Sequence, residues 1–336
     1  MDDRSLRNPH DRFFYFSFSE VDVARACLLK LLPSNEAKCI DLSTLRMAEG
    51  VFINSDLRRS HSDLIYTCRL RSDSSGDNPS QGNEEALIFF LFEHKSYADP
   101  HTIAQVLGYV TQVLQRRLRD GQKPCCVIPI VVYHGEKVWD VATTMAEFIP
   151  LPEPLTKYIP QLSYILFDVH RTKDDDFRDQ SFLHAALLVL KYIRSNDLLR
   201  QIGPILELLK SVPNEVRELN RLEAVLVYIL TAATQLSKNE LTNALEQTFP
   251  HQGTALMSTI AEQLINQGID LGISRGISQG IETGLRKGTL IGAILACQSI
   301  LGQAQSEAEL KAQPLEQLEH LAKQVQEQLR ERLNRQ

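Results

Sequence analysis

The sequence predicts an α/β protein in which a mixed sheet flanked by helices is followed by an all-α C-terminal extension. Three patterns support this fold class. Two short runs, 86–92 and 125–135, are largely apolar at consecutive positions, as in strands covered on both faces. Between them, the segment from Pro100 to about 118 repeats apolar residues at helical spacing. From about residue 183 onward the amphipathic patterns are helical, and no strand pattern separates them.

The remaining N-terminal elements follow from local signals. Residues 20–32 form a helical pattern that stops at Pro33. Residues 62–70 are rich in β-forming side chains, and the polar segment 71–85 has the composition of an exposed hairpin loop. Pro129 predicts an edge strand or a bulge for the second apolar run, because proline has no N–H for a strand ladder. The resulting order is helix, strand, strand, helix, strand.

These patterns divide the chain into three parts. Residues 1–180 are predicted to form the α/β domain, and residues 181–260 a helical subdomain. Residues 261–336 combine a glycine at every fourth position from Gly268 to Gly292 with a final charged helix that has a short coiled-coil-like seam. We interpret this last part as an association segment.

Composition limits the class of protein. The 336 residues are 43% hydrophobic and 23% charged, which is typical of a globular chain, and the six cysteines form no C-x-x-C pair. Structural thiols in a reducing cytoplasm are favoured over metal ligands. No apolar run reaches the roughly 20 residues of a membrane span, and the first residues lack the signal-peptide pattern. The net charge of −6 leaves DNA binding to local basic patches.

Polar side chains end the first apolar strand. Glu93 and Lys95 are two positions apart and therefore project from the same face of a strand. Asp63, at the head of the preceding strand, is expected to reach the same place once the hairpin closes. Gln105 and Tyr109 stand four apart, one above the other, on the next helix.

This arrangement has a chemical interpretation. Carboxylates on adjacent strands, here Asp63 and Glu93, can hold Mg²⁺ or another divalent cation through their oxygens. Lys95 would orient or deprotonate a water molecule and offset the phosphate charge, while Gln105 and Tyr109 would hydrogen-bond the metal shell or the nucleic-acid backbone. Further cations are candidates for phosphate contacts, namely Arg58, Arg59, Arg69, Arg116, Arg117, Arg119 and Lys123.

Each signal also has an ordinary structural explanation. A Glu/Lys pair at a strand end is usually a surface ion pair, Asp63 could cap a turn, and the basic run 116–123 could be a solvated helix end. His10, Asp11 and His94 are interpreted as structural rather than catalytic. Only the co-occurrence of these residues in the right order of elements favours a metal-dependent nuclease.

The order and the residues resemble the PD-(D/E)XK nuclease superfamily, and the Gln105/Tyr109 spacing is similar to the Q-x-x-x-Y motif of its RecB-like members. Several phrases resemble the Rpn family of recombination-promoting nucleases more narrowly; they are NPHDRFF, RRSHSDLIY, LFEHKSYADP and IPIVVYHGEKVW, together with the glycine repeat. The resemblance implies a PD-(D/E)XK core and a Mg²⁺-dependent DNA endonuclease connected with recombination and mobile DNA. It implies that Asp63, Glu93 and Lys95 are catalytic. Two positions depart from the pattern, since Ser62 replaces the motif proline and Tyr15 stands where a lysine is expected.

The glycine repeat allows three interpretations. Charged residues interrupt it, so a membrane dimerisation helix is a poor fit. As a helix it would carry seven glycines, each costing roughly 0.5–1 kcal/mol relative to alanine, so it needs close packing, by self-association or by docking on the helical subdomain. A flexible tether is the remaining alternative.

Two functions follow, since a third, a structural role through the C-terminal helix alone, leaves the arrangement of Asp63, Glu93 and Lys95 unexplained. The first is a metal-dependent DNA endonuclease that forms homo-oligomers through its C-terminal helix. The second is a catalytically weak nuclease-fold protein that binds DNA or regulates through that helix. The presence of Asp63, Glu93 and Lys95 together favours the first.

Overall fold

The structure is a computed structural model, and it describes residues 8–48, 64–71, 87–210, 216–250, 253–303 and 306–334. The chain divides into two compact units, residues 1–260 and 261–336. Among the described residues, no helix is both long enough and apolar enough to cross a bilayer.

One mixed five-stranded sheet organises the first unit. Its strand order is β1-β2-β3-β4-β5, in which β1, β2 and β3 are antiparallel neighbours while β3, β4 and β5 run parallel. The α/β class predicted from the sequence is therefore confirmed. The strands are β1 (Ile40–Met47), β2 (Leu64–Leu70), β3 (Leu87–Lys95), β4 (Cys126–Tyr133) and β5 (Ile165–Asp168).

Three strands were anticipated from the sequence and two were not. Strands β2, β3 and β4 match the predicted strand segments, although the predicted hairpin loop 71–85 lies outside the described residues apart from Arg71. The first strand, β1, lacks the unbroken apolar run that identified β3. The last, β5, is four residues long, too short for an alternation pattern to emerge.

The edge-strand prediction for β4 is wrong. β4 lies between β3 and β5, and its register with β3 is continuous through Pro129, opposite Leu91. The amide of His134 donates to the carbonyl of Lys95 in β3. Since amides alternate sides along a strand, position 129 faces the β5 side, where pairing begins only at Ile130. Pro129 is tolerated because no ladder partner is present on the side where its N–H is missing.

Helices cover both faces of the sheet. The predicted helices at 20–32 and 100–118 are confirmed as α2 and α4. The helices of the first unit are α1 (Pro9–Phe18), α2 (Val21–Leu31), α3 (Ser34–Cys39), α4 (Thr102–Arg119), α5 (Met145–Phe148), α6 (Ser181–Tyr192), α7 (Leu198–Leu209), α8 (Val216–Ala232) and α9 (Lys238–Thr248). Helix α10 (Gly253–Leu301) begins in this unit and continues into the second.

The two faces of the sheet carry different helices. On one face, Ile103 and Val106 of α4 pack in a core cluster with Val131 and Tyr133 of β4. On the other face, α1 stacks Phe14 on the ring of His94 in β3. Helix α1 also contacts α8, in which Tyr228 stacks on Phe13. Helices α6 and α8 are thus packed on the α1 side of the first unit.

The second unit contains helices only among its described residues. After α10 come α11 (Glu307–Ala312) and α12 (Leu315–Asn334). Leu318 and Ala322 of the predicted seam are buried with Ile291 and Ile294 of α10. This part of the seam therefore packs against α10 of the same chain. The whole glycine repeat is helical, so the interpretation as a flexible tether is wrong.

Candidate active site

Glu93 and Lys95 lie at the end of β3, on the face that α4 covers. They pair in register with Val131 and Tyr133, which belong to the core cluster under α4. The Lys95 ammonium lies 3.0 Å from Oε1 of Glu93, and both side chains are largely buried, with exposed fractions of 11% and 4%. The prediction that the two residues share a strand face holds, and a surface ion pair is ruled out by their burial.

The second carboxylate oxygen of Glu93 is unusual. Oε2 is buried and has no hydrogen-bond partner among the described residues. A buried carboxylate oxygen without a partner costs free energy, and cations or N–H donors normally compensate it. Oε2 is therefore a chemically suitable donor for a hard cation, which prefers oxygen ligands.

Helix α4 brings Gln105 to the same place. Lys95 Nζ donates to Oε1 of Gln105 over 2.6 Å, and Nε2 of Gln105 donates to Oδ2 of Asp99 over 3.2 Å. Because an ammonium only donates and a carboxylate only accepts, these partners fix the orientation of the Gln105 amide. Gln105 thus contacts the predicted lysine directly, which the sequence alone did not indicate. Tyr109 stands one turn further along α4 and is half-buried.

Asp99 was missed in the sequence. It accepts the backbone amide of His101 on Oδ1, and its carbonyl accepts the hydroxyl of Thr102, so it organises the start of α4. The available signal was an aspartate directly before a proline at a predicted helix start. Its free carboxylate oxygen orients Gln105 toward Lys95.

Other predicted residues lie outside the described part of the chain. Asp63, Arg58 and Arg59 are among them. The first described residue of β2, Leu64, pairs with Phe92, one residue before Glu93. Among the residues that the structure describes, no three His, Cys, Asp or Glu side chains form a group able to hold a metal ion.

The basic residues of α4 are not close to Lys95. Arg116, Arg119 and Lys123 follow Gln105 by 11 to 18 residues, and helix geometry places Arg116 roughly 16 Å and Arg119 roughly 21 Å along the axis. Arg116 is paired with Asp120 at 2.9 Å. These side chains can contact only nucleic acid that extends several base pairs from Glu93.

Arg117 is the exception to the predicted basic surface. It is 9% exposed, and its Nε donates to the carbonyl of Lys123 over 2.8 Å. The turn after α4 folds back because Gly121 adopts a positive φ of 70°. The guanidinium of Arg117 thus closes the helix end, and its contact with phosphate stays a prediction.

A polar network occupies the opposite face of β3. His94 lies between Glu93 and Lys95 in sequence, so it points away from them. Its Nδ1 is 2.8 Å from Oδ1 of Asp11, and its Nε2 is 3.0 Å from Nδ1 of His134. The interpretation of Asp11 and His94 as structural agrees with this placement. His134 was not singled out in the sequence.

The sequence profile of one protein family matches residues 8–220, more than half of the chain; the family is described as "Putative transposase, YhgA-like". The chain belongs to this family. Curated relatives of this YhgA-like chain carry the name recombination-promoting nuclease, so the resemblance to the Rpn family is confirmed.

Three relatives cover most of the chain. Recombination-promoting nuclease RpnD of Escherichia coli O157:H7 is 28% identical over 264 residues, 77% of this chain and 94% of the relative. Recombination-promoting nuclease RpnA of Escherichia coli K12 is 26% identical over 270 residues, 80% of this chain and 87% of the relative. "Inactive recombination-promoting nuclease-like protein RpnE" of the same strain is 26% identical over 271 residues, 80% and 85% of the two chains. No solved structure matches the chain significantly.

Proposed function

We propose that this protein is a metal-dependent DNA endonuclease with a PD-(D/E)XK core that hydrolyses phosphodiester bonds during recombination or movement of DNA. The observation that carries the proposal is the buried Glu93–Lys95 pair, in which Oε1 is bound to the lysine and Oε2 is left without a partner among the described residues. The names of the relatives RpnD and RpnA support a nuclease and recombination role.

Glu93 and Asp63 are the proposed metal ligands. Oε2 of Glu93, unpaired among the described residues, fits a divalent cation. Leu64 of β2, the residue after Asp63, is the register partner of Phe92, the residue before Glu93. Mg²⁺ bound there would polarise the phosphodiester and lower the pKa of a bound water molecule. The proposed donors are all oxygens, as this cation requires.

Lys95 has two tasks in this proposal. Its ammonium, held by Glu93 and Gln105, supplies a fixed positive charge for the scissile phosphate. It also orients the attacking water by donating a hydrogen bond. By accepting a hydrogen bond from Lys95, Gln105 keeps the ammonium from binding to Glu93 alone. Tyr109, one helical turn further along α4, is proposed to contact the nucleic-acid backbone.

The experiment is cleavage of supercoiled plasmid and of single-stranded circular DNA by purified protein, with Mg²⁺ or with EDTA. The variants are Asp63→Ala, Glu93→Gln and Lys95→Ala, and each is expected to lose cleavage by at least about 100-fold. Glu136→Gln and Lys137→Ala are matched controls on an exposed turn and should cleave like the wild type. Equal cleavage by wild type and the three site variants would refute the assignment.

A second function is favoured by a different observation. Five apolar side chains in the glycine repeat are more than half exposed; they are Ile269, Ile273, Ile277, Ile281 and Leu285. A relative of similar coverage is named inactive. We therefore propose association of two copies through this row, and a weakly catalytic regulatory protein is the alternative if cleavage fails while association persists.

A second copy is the occupant that best fits the row. At glycines 272, 276, 280, 284, 288 and 292, a Cβ would meet no described atom within 4 Å other than those of the adjacent residues and the nearby backbone of the same helix. The same helix on another copy offers both parts of a contact, isoleucine knobs and glycine gaps, at the same spacing of four. Burying each apolar side chain would gain about 1–2 kcal/mol, which offsets the helix cost of the glycines.

A further inference from the structure

The face of the sheet behind Glu93 and Lys95 carries a chain of buried hydrogen bonds. Asp11 of α1, His94 of β3 and His134 after β4 are joined through the two ring nitrogens of His94, over 2.8 and 3.0 Å. The rings of His94 and His134 are stacked with centroids 4.8 Å apart. His94 and His134 are 5% and 1% exposed. The chain therefore spans from the N-terminal helix across two strands.

A second set of hydrogen bonds, from Arg194 through His10 to Tyr228, reaches the end of β3; we call it and the Asp11–His94–His134 chain the two arms of the network. Arg194, just after α6, donates from Nη1 to the carbonyl of Ser96 over 3.4 Å and from Nη2 to Nε2 of His10 over 3.0 Å. His10 contacts the hydroxyl of Tyr228 through Nδ1 over 2.7 Å. The ring centroids of His10 and His134 are 5.0 Å apart, so the two arms meet.

Together the arms hold the backbone that carries Lys95. The amide of His134 donates to the carbonyl of Lys95 over 3.1 Å, and Arg194 donates to the next carbonyl, that of Ser96. Gly135 allows the turn at this point, because a Cβ there would collide with the ring of Tyr133. The last carbonyl of β3, that of Lys95, and the next one, that of Ser96, are thus both held by hydrogen bonds.

The partners of His10 determine which of its ring nitrogens carries the proton. A guanidinium only donates, so Nε2 of His10 accepts and its Nδ1 donates to Tyr228. Burial, with the charge of Arg194, lowers the pKa of His10 to about 4, which keeps this ring neutral. His94 joins Asp11 to His134 through its two ring nitrogens, and which nitrogen donates depends on the tautomer of the ring.

Apolar side chains would fill this place at lower cost. Phe14 and Phe92 already pack on the same side of β3. One buried atom of the network, Nε2 of His134, has no hydrogen-bond partner among the described residues, and such an atom costs free energy. Hydrogen bonds define orientation more strictly than apolar contacts do. The network therefore fixes the position of β3 where packing alone would allow rotation.

We propose that Asp11, His94, His134 and Arg194 are positioning residues that fix the end of β3, so that Glu93 and Lys95 address the same reacting phosphate. The proposal rests on the proposed function of Glu93 and Lys95. Rotation of this strand end moves both side chains, since they flank His94 in the chain. A displacement of about 1 Å in a reacting group costs on the order of 100-fold in rate.

The test removes the two hydrogen bonds of His94, to Asp11 and to His134, one at a time. In His94→Asn the amide can keep the bond to Asp11 and loses His134; in His94→Gln it can reach His134 and loses Asp11. Val132→Ala is the control, because Val132 is the register partner of His94, is fully buried and contributes packing only. For each protein, kcat and KM for plasmid cleavage with Mg²⁺ are measured together with urea unfolding. The NMR resonance of the Lys95 ammonium is recorded in ¹⁵N-lysine-labelled protein.

Both His94 variants are expected to lose kcat by at least about tenfold with KM changed less than about twofold, while Val132→Ala keeps kcat within about threefold at a comparable loss of stability. The Lys95 ammonium resonance should move in the His94 variants and stay in place in the control. A loss of kcat that follows stability equally in all three variants overturns the proposal.

The proposed function can fail separately. If the wild type shows no Mg²⁺-dependent cleavage, the nuclease assignment is refuted, and the Lys95 resonance decides the positioning role alone. A resonance that moves only in the His94 variants supports positioning of the strand end. A resonance unchanged in them, or moved equally by Val132→Ala, overturns it.

Discussion

Lys95 and Gln105 are joined across the interface of sheet and helix, with Nζ of the lysine 2.6 Å from Oε1 of the glutamine. Since Lys95 is also bound to Glu93, its ammonium is shared between a charged and a neutral acceptor. Asp99 holds the other end of the Gln105 amide. The position of the ammonium therefore depends on a side chain that carries no charge.

Replacing Gln105 by leucine removes the neutral acceptor and keeps a similar volume. Lys95 is then bound only by Glu93, and its charge moves away from the phosphate. We expect Gln105→Leu to lower kcat by about tenfold with little change in KM for DNA, measured by steady-state plasmid cleavage. Gln115→Leu, at an exposed position of the same helix, is the control. A Gln105→Leu protein as active as the control would show that the hydrogen bond has no part in cleavage.

The sequence predicted the shared face of Glu93 and Lys95 because side chains alternate between the two faces of a strand, so residues two apart lie on the same face. It placed Gln105 near them because helix and strand are consecutive. It could not show that Gln105 binds Lys95 itself, since that depends on how closely α4 packs on β3.

The histidine network could not be predicted for a different reason. His94 is 83 residues from Asp11 and 40 from His134, and Tyr228 is 218 residues from His10. No local pattern connects such positions. The same holds for Arg117, whose burial depends on the turn at Gly121 rather than on its place in a basic run.

Acid should destabilise the fold through His10. Its pKa is lowered to about 4 by burial and Arg194, while in the unfolded chain its pKa is close to the ordinary histidine value of 6.5. Between these values the unfolded state binds more protons, so the free energy of unfolding falls as pH falls through this window and is fully retained above it. After allowance for solvent screening, the loss is on the order of 1–2 kcal/mol.

The measurement is urea unfolding at several pH values between about 7 and 4. His10→Asn should be less stable at neutral pH and show a flatter slope across the window. Burial also lowers the pKa of His134, so part of the slope remains. His320→Asn, at an exposed position, should follow the wild type. An unchanged slope in His10→Asn would exclude this histidine as the source.

An ion-pair network joins the N-terminal and later helices of the first unit. Arg221 of α8 binds Glu20, before α2, and Glu218, and its guanidinium lies 4.5 Å from the ring centroid of Phe182. Burial alone would raise the pKa of Glu20, yet hydrogen bonds from Arg221 and Arg217 hold it below its ordinary value. The Arg221 side chain is 12% exposed, whereas that of Arg217 is 48% exposed.

This difference predicts unequal effects of two similar substitutions. Arg221→Ala leaves two largely buried carboxylates without their principal partner and should cost about 2 kcal/mol of unfolding free energy. Arg217→Ala removes two solvent-screened pairs, with Glu20 and Asp22, and should cost less than about 1 kcal/mol. Urea unfolding at pH 7 measures both. Equal losses would mean that burial does not govern the strength of this network.

The exposed apolar row of α10 predicts that two copies of the chain associate. Ile277 is at its centre and is 58% exposed, with Gly276 and Gly280 beside it open to approach by another backbone. If two copies meet here, a charge at Ile277 would be buried in the contact. Ile277→Glu should therefore shift the protein toward monomer, with a dimer dissociation constant raised by at least about 30-fold, the equivalent of roughly 2 kcal/mol.

Gln279→Glu is the matched control, because it adds the same charge at an exposed position two residues away on the same helix. Sedimentation equilibrium over a range of protein concentrations gives the mass and the dissociation constant of each protein. Circular dichroism verifies that helix content is the same, which separates loss of contact from loss of the helix. A wild type that is monomeric at all concentrations, or a dimer weakened equally by both substitutions, would contradict association through this row. In that case the glycines would have to be explained by a partner other than a second copy.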